Sequence, residues 1–353
     1  MLPTWRTLAC LFCIAPILGY PSPAQEASLV AKGIWIDNAA GIQASGLTSD
    51  SAGHLWIIGD QNTKRDNTTP TPRRLFRISM PSQGGSNPSV GAGKIISYES
   101  TEYDGDFEGV CIGPTGSFFA ITESRYRKNG EYRSPSIFEF DSNGRMPQGR
   151  TELGLDRWAD NPGSDNERLE GIAYGADRLF LAYEKAPRIL VLSIEEARRA
   201  ERARGIDAVT PRRLDVDLRD ASNINGLAYM KQNGKQYLLA IARNREIIVS
   251  IEIYRRDDKI VAGKVGKTSV KFLSPDSDRE LCWASPEGIT VSKGEIWIIS
   301  DPPYAKNHRV NYRELRNGEV RASCHENSAQ DRGPRFNAMF PILFSVSLDN
   351  LNL

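Results

Sequence analysis

Residues Arg168–Tyr174 read RLEGIAY, which is a polar stretch followed by a glycine and an apolar run. The same polar-Gly-apolar phrase occurs five times along the chain, at intervals of ~60 residues, which is a spacing typical of repeat architectures. The five copies are Ser45-Gly46-Leu47, Glu108-Gly109-Val110, Glu170-Gly171-Ile172, Asn225-Gly226-Leu227 and Glu287-Gly288-Ile289. This recurrence predicts one supersecondary unit that is built repeatedly.

Each phrase is followed by segments with the apolar or alternating pattern of β-strands. The predicted second strands are Leu55–Ile58, Phe118–Ile121, Leu179–Tyr183, Tyr237–Ile241 and Ile296–Ile299. The predicted third strands are Leu75–Ile78, Ser136–Phe140, Arg188–Leu192, Ile247–Ile251 and Ile342–Val346. The first four repeats also have a predicted fourth strand, at Lys94–Tyr98, Arg150–Leu153, Arg213–Val216 and Ser269–Leu273.

The fifth repeat has no fourth strand of its own, whereas the N-terminal region has an unassigned one at Lys32–Ile36. A ring closed by strands from both ends of the chain leaves no open sheet edge. The sequence therefore predicts an all-β protein, a β-propeller with five blades that forms a single domain over residues 25–353. A sixth blade would need strands within Ala305–Asn337, which we interpret as one long loop over the channel mouth.

The N-terminal segment has the pattern of a signal peptide over residues 1–24. Arg6 precedes the apolar run Leu8–Tyr20, and small residues follow at Ser22–Ala24. A membrane anchor is the alternative, but the run is shorter than the roughly 20 residues that a spanning helix needs. Lipid attachment at Cys10 is a second alternative. We expect a periplasmic or secreted protein without a transmembrane span in its mature form.

The composition excludes several classes of partner and site. The chain has 353 residues with 45 Lys and Arg against 44 Asp and Glu, so no nucleic-acid surface is predicted, and we expect a monomer. With three histidines and no paired cysteine spacing, a zinc site is not expected. Cys111 lies in an apolar strand and is predicted to be buried, while a Cys282–Cys324 disulfide stays open.

One helix is predicted at Ile194–Arg204, between the third and fourth strands of the third repeat. It is rich in Glu, Ala and Arg. We interpret its arginines as a solvent-exposed face.

In a propeller blade, the start of the first strand and the end of the second lie on the same face. Ten polar residues are therefore expected at one channel mouth: Ser45, Glu108, Glu170, Asn225, Glu287, Asp60, Glu123, Glu184, Arg243 and Asp301. Carboxylates gathered at an axis repel one another unless a cation, protons or basic side chains compensate them. Calcium fits this need because it takes six to eight oxygen ligands. The alternative is that these residues only cap turns.

The polar residues at this mouth have predicted roles. The metal ligands are predicted to be Glu108, Glu170, Glu287, Asn225, Asp301 and Asp60. Glu123 or Glu184 is the predicted general base. Basic residues that could bind an anion are Arg125, Lys185, Arg243, Lys306 and Arg309. Solvent-exposed loop charge is the alternative interpretation of these basic residues.

The phrases Asp106–Val110, Arg168–Tyr174 and Ser285–Ile289 resemble those of the phytase-like propeller family, known as "esterase-like activity of phytase". Similar phrases occur in SdiA-regulated propellers and in calcium-dependent lactonases, where Glu-Gly supplies a metal ligand. The resemblance spans nearly the whole mature chain and implies calcium-dependent hydrolysis of esters or phosphoesters. Ser45 and Asn225 depart from the glutamate pattern, and the Asp-rich calcium loops of alkaline propeller phytases are not evident.

Two functions follow from these patterns. The first is a calcium-dependent hydrolase of a small anionic ester, in which the ion activates water and arginine or lysine binds the anion. The second is a non-catalytic, ligand- or protein-binding propeller of the cell envelope. The arrangement of the mouth carboxylates distinguishes the two, since they either converge on one point or form separate ion pairs.

Overall fold

The structure is a computed structural model of the chain. It describes residues 28–39, 42–59, 74–81, 87–91, 93–95, 107–122, 125–126, 132–133, 135–143, 150–153, 169–184, 187–202, 209–276, 280–281, 284–300, 341–351 and 353. Within these ranges, no helix is both long and apolar enough to cross a membrane. The predicted signal peptide, the Cys282–Cys324 disulfide and the loop Ala305–Asn337 lie outside the described residues.

The described residues form twenty-three strands and one α-helix, in the following order. The N-terminal strand is β1 (Leu29–Trp35). Blade one contains β2 (Ala44–Ser49), β3 (Leu55–Gly59), β4 (Arg74–Ser79), β5 (Ser89–Val90) and β6 (Lys94–Ile95). Blade two contains β7 (Phe107–Ile112), β8 (Phe118–Thr122), β11 (Ser136–Phe140) and β12 (Arg150–Glu152), and a separate two-stranded hairpin of β9 (Arg125–Tyr126) and β10 (Tyr132–Arg133) lies between β8 and β11 in the chain.

The remaining blades follow the same plan. Blade three contains β13 (Leu169–Gly175), β14 (Arg178–Tyr183), β15 (Arg188–Leu192), the helix α1 (Ile194–Arg202) and β16 (Arg212–Arg213). Blade four contains β17 (Gly226–Gln232), β18 (Lys235–Ala242), β19 (Ile247–Arg256) and β20 (Lys259–Leu273). Blade five contains β21 (Pro286–Ser292), β22 (Glu295–Ser300) and β23 (Ile342–Ser347).

The sheets are arranged as a β-propeller, as the sequence predicts. Within each blade, neighbouring strands pair antiparallel. The first strands of the blades contact one another in a closed cycle, in the order β2, β7, β13, β17, β21 and back to β2. The described part of the chain supplies five such inner strands, which surround a common axis.

The apolar core is divided among the gaps between blades. Five clusters of buried side chains occur, and each joins one blade to the next. In one of them, Cys111 and Phe119 of blade two pack with Ile172 and Leu179 of blade three. Both faces of a blade are therefore buried, which explains why β8 is buried at every position and apolar from Phe118 to Ile121 rather than alternating.

The ring is closed by β1. It pairs antiparallel with β23, which confirms the prediction that an N-terminal strand completes the C-terminal blade. Its other edge pairs in parallel with β20, so Leu29 lies opposite Val270. This second pairing, which the sequence did not predict, joins blades four and five into one eight-stranded sheet.

Several details differ from the predicted elements. The short strand β5 and the β9–β10 hairpin were not predicted, and β20 is 15 residues long rather than five. The helix ends at Arg202, and β16 is limited to Arg212–Arg213. Cys111 is a free, buried cysteine as predicted, and burial raises the pKa of its thiol.

Candidate functional site

In blades one, two, three and five, the residue before the repeat glycine forms a β-bulge at the start of the inner strand. In β13, Leu169 pairs with Tyr183 and Gly171 with Ala182, so Glu170 is an extra residue that the strand register skips. The pairing skips one residue in the same way at Ser45, Glu108 and Glu287. In blade four, the N–H of Asn225 donates to the carbonyl of Ile241, which is also the partner of Gly226. A bulge re-aims a side chain, so these five residues form one structural set, which we call the bulge residues.

The repeat glycines, which follow the bulge residues, bring the inner strands into backbone contact. A Cβ atom placed on Gly171 would lie 3.0 Å from the Cα of Gly226. The same construction on Gly46, Gly109 and Gly226 gives 2.9, 3.2 and 3.1 Å to the Cα of the next repeat glycine, and on Gly288 it gives 2.5 Å to the Leu47 nitrogen.

Around this ring of glycines, no side chain fits between neighbouring strands. Strands that are not neighbours in the ring also come close, since Cα atoms of β2 lie within 8 Å of Cα atoms in β13 and β17. The channel is therefore narrow at the glycines. The bulge residues stand at the rim of this constriction, on the face that the sequence predicts as the mouth.

A closed network of polar side chains joins blades four and five at this rim. Arg243 Nη1 lies 2.8 Å from Glu287 Oε1, and Asn225 Nδ2 donates to Glu287 Oε2 at 3.0 Å. Asn223 Nδ2 donates to Asn225 Oδ1 at 2.8 Å, and the N–H of Asn244 donates to Asn223 Oδ1 at 3.1 Å. Because Asn244 follows Arg243 in the chain, the network returns to its starting point.

This network fixes the guanidinium of Arg243 in the partly exposed rim. The Glu287 side chain is 9% exposed, so its charge needs a compensating partner, which Arg243 and Asn225 provide. The Arg243 side chain is 30% exposed. A guanidinium has five N–H donors in a planar fork, which is the geometry that suits an arginine to bind an anion.

The structure places only some of the predicted site residues. Glu170, Asn225 and Glu287 are buried, Glu108 is partly exposed, and all four are bulge residues. Glu184 directly follows β14 and is partly exposed. Of Arg125 the structure describes only the backbone, in β9. The predicted residues outside the described part of the chain are Asp60, Glu123, Lys185, Asp301, Lys306 and Arg309.

Asn223 is a member of the network that the sequence analysis missed. It lies outside the repeat phrase, two residues before Asn225, and its side chain is 4% exposed. Two asparagines at this spacing share one face of an extended chain, which was the available signal.

The sequence predicts that carboxylate and amide side chains at the rim bind calcium. Carboxylate and amide oxygens are the donors that calcium prefers. However, in the described ranges no three of the His, Cys, Asp and Glu residues form a group that could hold a metal ion. Both carboxylate oxygens of Glu287 also have contacts already, with Arg243 and Asn225. These residues alone do not make a calcium site, so the predicted ligand set stays a prediction that depends on Asp60 and Asp301.

Comparison with known proteins gives no family. No protein-family model matches the chain, and no curated protein matches it.

Solved structures with similar folds include three enzymes. A putative glucose dehydrogenase from Thermus thermophilus is 11% identical with a TM-score of 0.38, covering 91% of this chain and 96% of that one. A GH43_1 enzyme from Xanthomonas citri is 10% identical with a TM-score of 0.42 over 76% and 83%. Glutaminyl cyclase from Myxococcus xanthus is 13% identical with a TM-score of 0.38 over 77% and 93%. With TM-scores below 0.5, these similarities give no basis for assigning chemistry to this chain.

Proposed function

We propose that the rim of the channel binds a small anionic ester or phosphoester, and that the protein hydrolyses it with the help of calcium. The observation that carries the proposal is the fixed guanidinium of Arg243. A guanidinium held by a buried carboxylate loses little side-chain entropy when it binds an anion, because its position is already set. Its planar fork matches the geometry of phosphate and carboxylate.

The rim is asymmetric, as a site for an anion and a water molecule needs to be. Blade four contributes Asn225 and Arg243, whereas blades two and three contribute Glu108 and Glu170 at the equivalent bulge positions. We assign the anionic group of the substrate to the side of blade four. The scissile bond then lies towards blades two and three.

Hydrolysis needs a group that takes a proton from water. Glu184 lies at the end of β14, beside the blade-three bulge, and is partly exposed, so in this proposal it accepts the proton. Calcium, when bound, would polarise the ester or phosphoryl oxygen. Glu108, Glu170 and Asn225 would hold it, together with Asp60 and Asp301 as predicted from the sequence. A place in the phytase-like family and export to the periplasm or beyond belong to the same proposal.

Calorimetric titration tests the metal part of the proposal. Calcium is titrated into the wild type, into Glu108→Gln/Glu170→Gln and into Glu252→Gln, a control that changes a glutamate far from the rim. We expect binding in the wild type and in the control, and none in the double variant. Binding that persists in the double variant would remove these two residues from the metal site.

A substrate panel tests the anion part. Hydrolysis of p-nitrophenyl phosphate and p-nitrophenyl acetate is measured for the wild type, Arg243→Lys and the control Arg219→Met, whose arginine pairs with exposed Asp217 in the connection between blades three and four. Because lysine lacks the planar fork, we expect KM for the phosphate to rise roughly tenfold in Arg243→Lys only. An unchanged KM would exclude Arg243 from substrate binding.

A second candidate function is ligand binding without catalysis. It is favoured by the ion pair of Glu287 with Arg243, because a carboxylate paired in this way is not available as a dedicated metal ligand. The same two experiments separate the candidates. A chain that binds inorganic phosphate through Arg243, but neither binds calcium nor turns over either substrate, is a binding propeller.

A further inference from the structure

A cavity lies on the face opposite the bulge residues, between blades three and four. Its volume is about 220 Å³. One wall is the turn after β13, at Ala176 and Asp177, and the other walls come from the four strands of blade four. The cavity is therefore separated from the rim by the length of the inner strands, and it is independent of the proposed function.

The turn that forms the first wall is held in a strained conformation. Ala176 and Asp177 both have positive φ angles, 49° and 59°, which a residue with a Cβ atom adopts only at an energetic cost. The Tyr229 ring covers the preceding Gly175, where an added Cβ would lie 2.0 Å from Cγ of the ring. Burial raises the pKa of the Tyr229 hydroxyl, which lies at this turn.

The same contacts orient a polar group of the opposite wall. The Tyr229 hydroxyl donates to Gln236 Oε1 at 2.7 Å, which leaves the Nε2 donors of Gln236 for another acceptor. A single tyrosine therefore contacts both walls of the cavity, because its ring packs on Gly175 and its hydroxyl holds the Gln236 amide.

The remaining walls combine apolar surface with positive charge. Ile253 is buried, Ile260 is partly buried, and Tyr254 is one of three large apolar side chains that the described residues expose. Lys231 and Arg255 line the cavity and are exposed, and in the described part of the chain neither forms an ion pair. Asp177 is the one acidic lining residue, so the cavity carries a net positive charge.

We infer that this cavity binds a small molecule consisting of one six-membered ring and a carboxylate. The ring packs between Tyr254 and the isoleucines, and the carboxylate accepts hydrogen bonds from Lys231 and Gln236. The volume is below the roughly 300 Å³ at which pockets for drug-sized ligands begin, which limits the ligand to about one ring. Aromatic acids and uronic acids share this chemistry.

Ligand-observed NMR titration of the full chain tests the inference. The probes are benzoate and glucuronate, with benzyl alcohol and glucose as neutral counterparts. For the wild type we expect a Kd of about a millimolar for at least one of the two acids, and weaker binding of its neutral counterpart. The two acid probes decide between an aromatic acid and a uronic acid.

Two variants and two controls connect binding to the cavity. Lys231→Met and Tyr254→Ser should each raise the Kd about threefold to tenfold, because an exposed charge contact and a ring contact are lost. Lys264→Met, on the exposed part of β20, is the matched control and should leave the Kd unchanged. Glu287→Gln, at the rim, should also leave it unchanged. Any one of three results would overturn the inference. These are equal binding by Lys231→Met and Lys264→Met, equal binding of an acid and its neutral counterpart, and no binding of either acid.

Discussion

The repeat glycines are the residues on which the narrow part of the channel depends. At Gly171, an added Cβ would lie 2.9 Å from the Leu227 nitrogen, which belongs to the backbone and cannot rotate away. We expect Gly171→Ala to lower the free energy of unfolding by about 2 kcal/mol, as overpacking of a rigid contact does. Gly91→Ala is the matched control, because no atom lies within 4 Å of a Cβ at that position. Urea denaturation measures both, and equal stability would show that the inner strands can move apart.

At the residue level, the repeat phrase reveals the bulge residues but not the network around them. Glycine in Glu-Gly marks the position where two backbones meet, so the residue before it can be located from sequence alone. Asn223 cannot be found in this way. Its position depends on Ser222, whose φ of 62° and ψ of −51° turn the chain just before the inner strand. No local residue pattern predicts that conformation.

The helix α1 shows how an element can be predicted correctly while its contacts are not. Its start is set by a capping box, in which the N–H of Ser193 donates to Glu196 Oε2 at 2.6 Å and the N–H of Glu196 donates to Ser193 Oγ at 3.0 Å. The interpretation of its arginines as a solvent-exposed face was wrong for Arg198. Arg198 Nε donates to Oε2 of the buried Glu139 at 2.8 Å, and thereby attaches the helix of blade three to blade two.

This contact predicts different effects for two neighbouring arginines. Arg198→Met leaves the Glu139 carboxylate buried without its cation, so we expect the free energy of unfolding to fall by about 2 kcal/mol. Arg199→Met should change it by less than about 0.5 kcal/mol, since the Arg199 side chain is 71% exposed and lies 4.0 Å from exposed Glu195. Thermal denaturation compares the two variants. If both lose the same stability, the Arg198–Glu139 pair does not hold the helix in place.

At the scale of the whole molecule, the number of inner strands and the closure by β1 could be predicted from repeat counting. The parallel pairing of β1 with β20 could not, because parallel partners leave no local sequence signal, although the paired residues Val270–Leu273 lie within the predicted strand. The division of the core into clusters between blades follows from the apolar runs of the second strands, which need a partner on each face.

Closure of the ring predicts opposite results for two adjacent residues of β1. Ala31 is fully buried between blades, whereas Val30 is 56% exposed. Ala31→Asp places an unpaired charge in the core and should lower the free energy of unfolding by about 3 kcal/mol or more. Val30→Asp should change it by about 0.5 kcal/mol. Guanidinium denaturation followed by tryptophan fluorescence measures both. A single transition with similar midpoints for the two variants would mean that β1 does not close the ring.

The pairing of β1 also sets the order in which the chain can assemble during synthesis. Trp35 pairs with Ile342, which the ribosome adds about three hundred residues later. The first of the described strands is therefore among the last to be fully paired, and pairing over such separations is slow because a long loop must close first. Until β20 and β23 have been made, β1 is a largely apolar segment without a sheet. A chaperone that binds nascent apolar segments would be expected to occupy it, and to leave when blade five is complete.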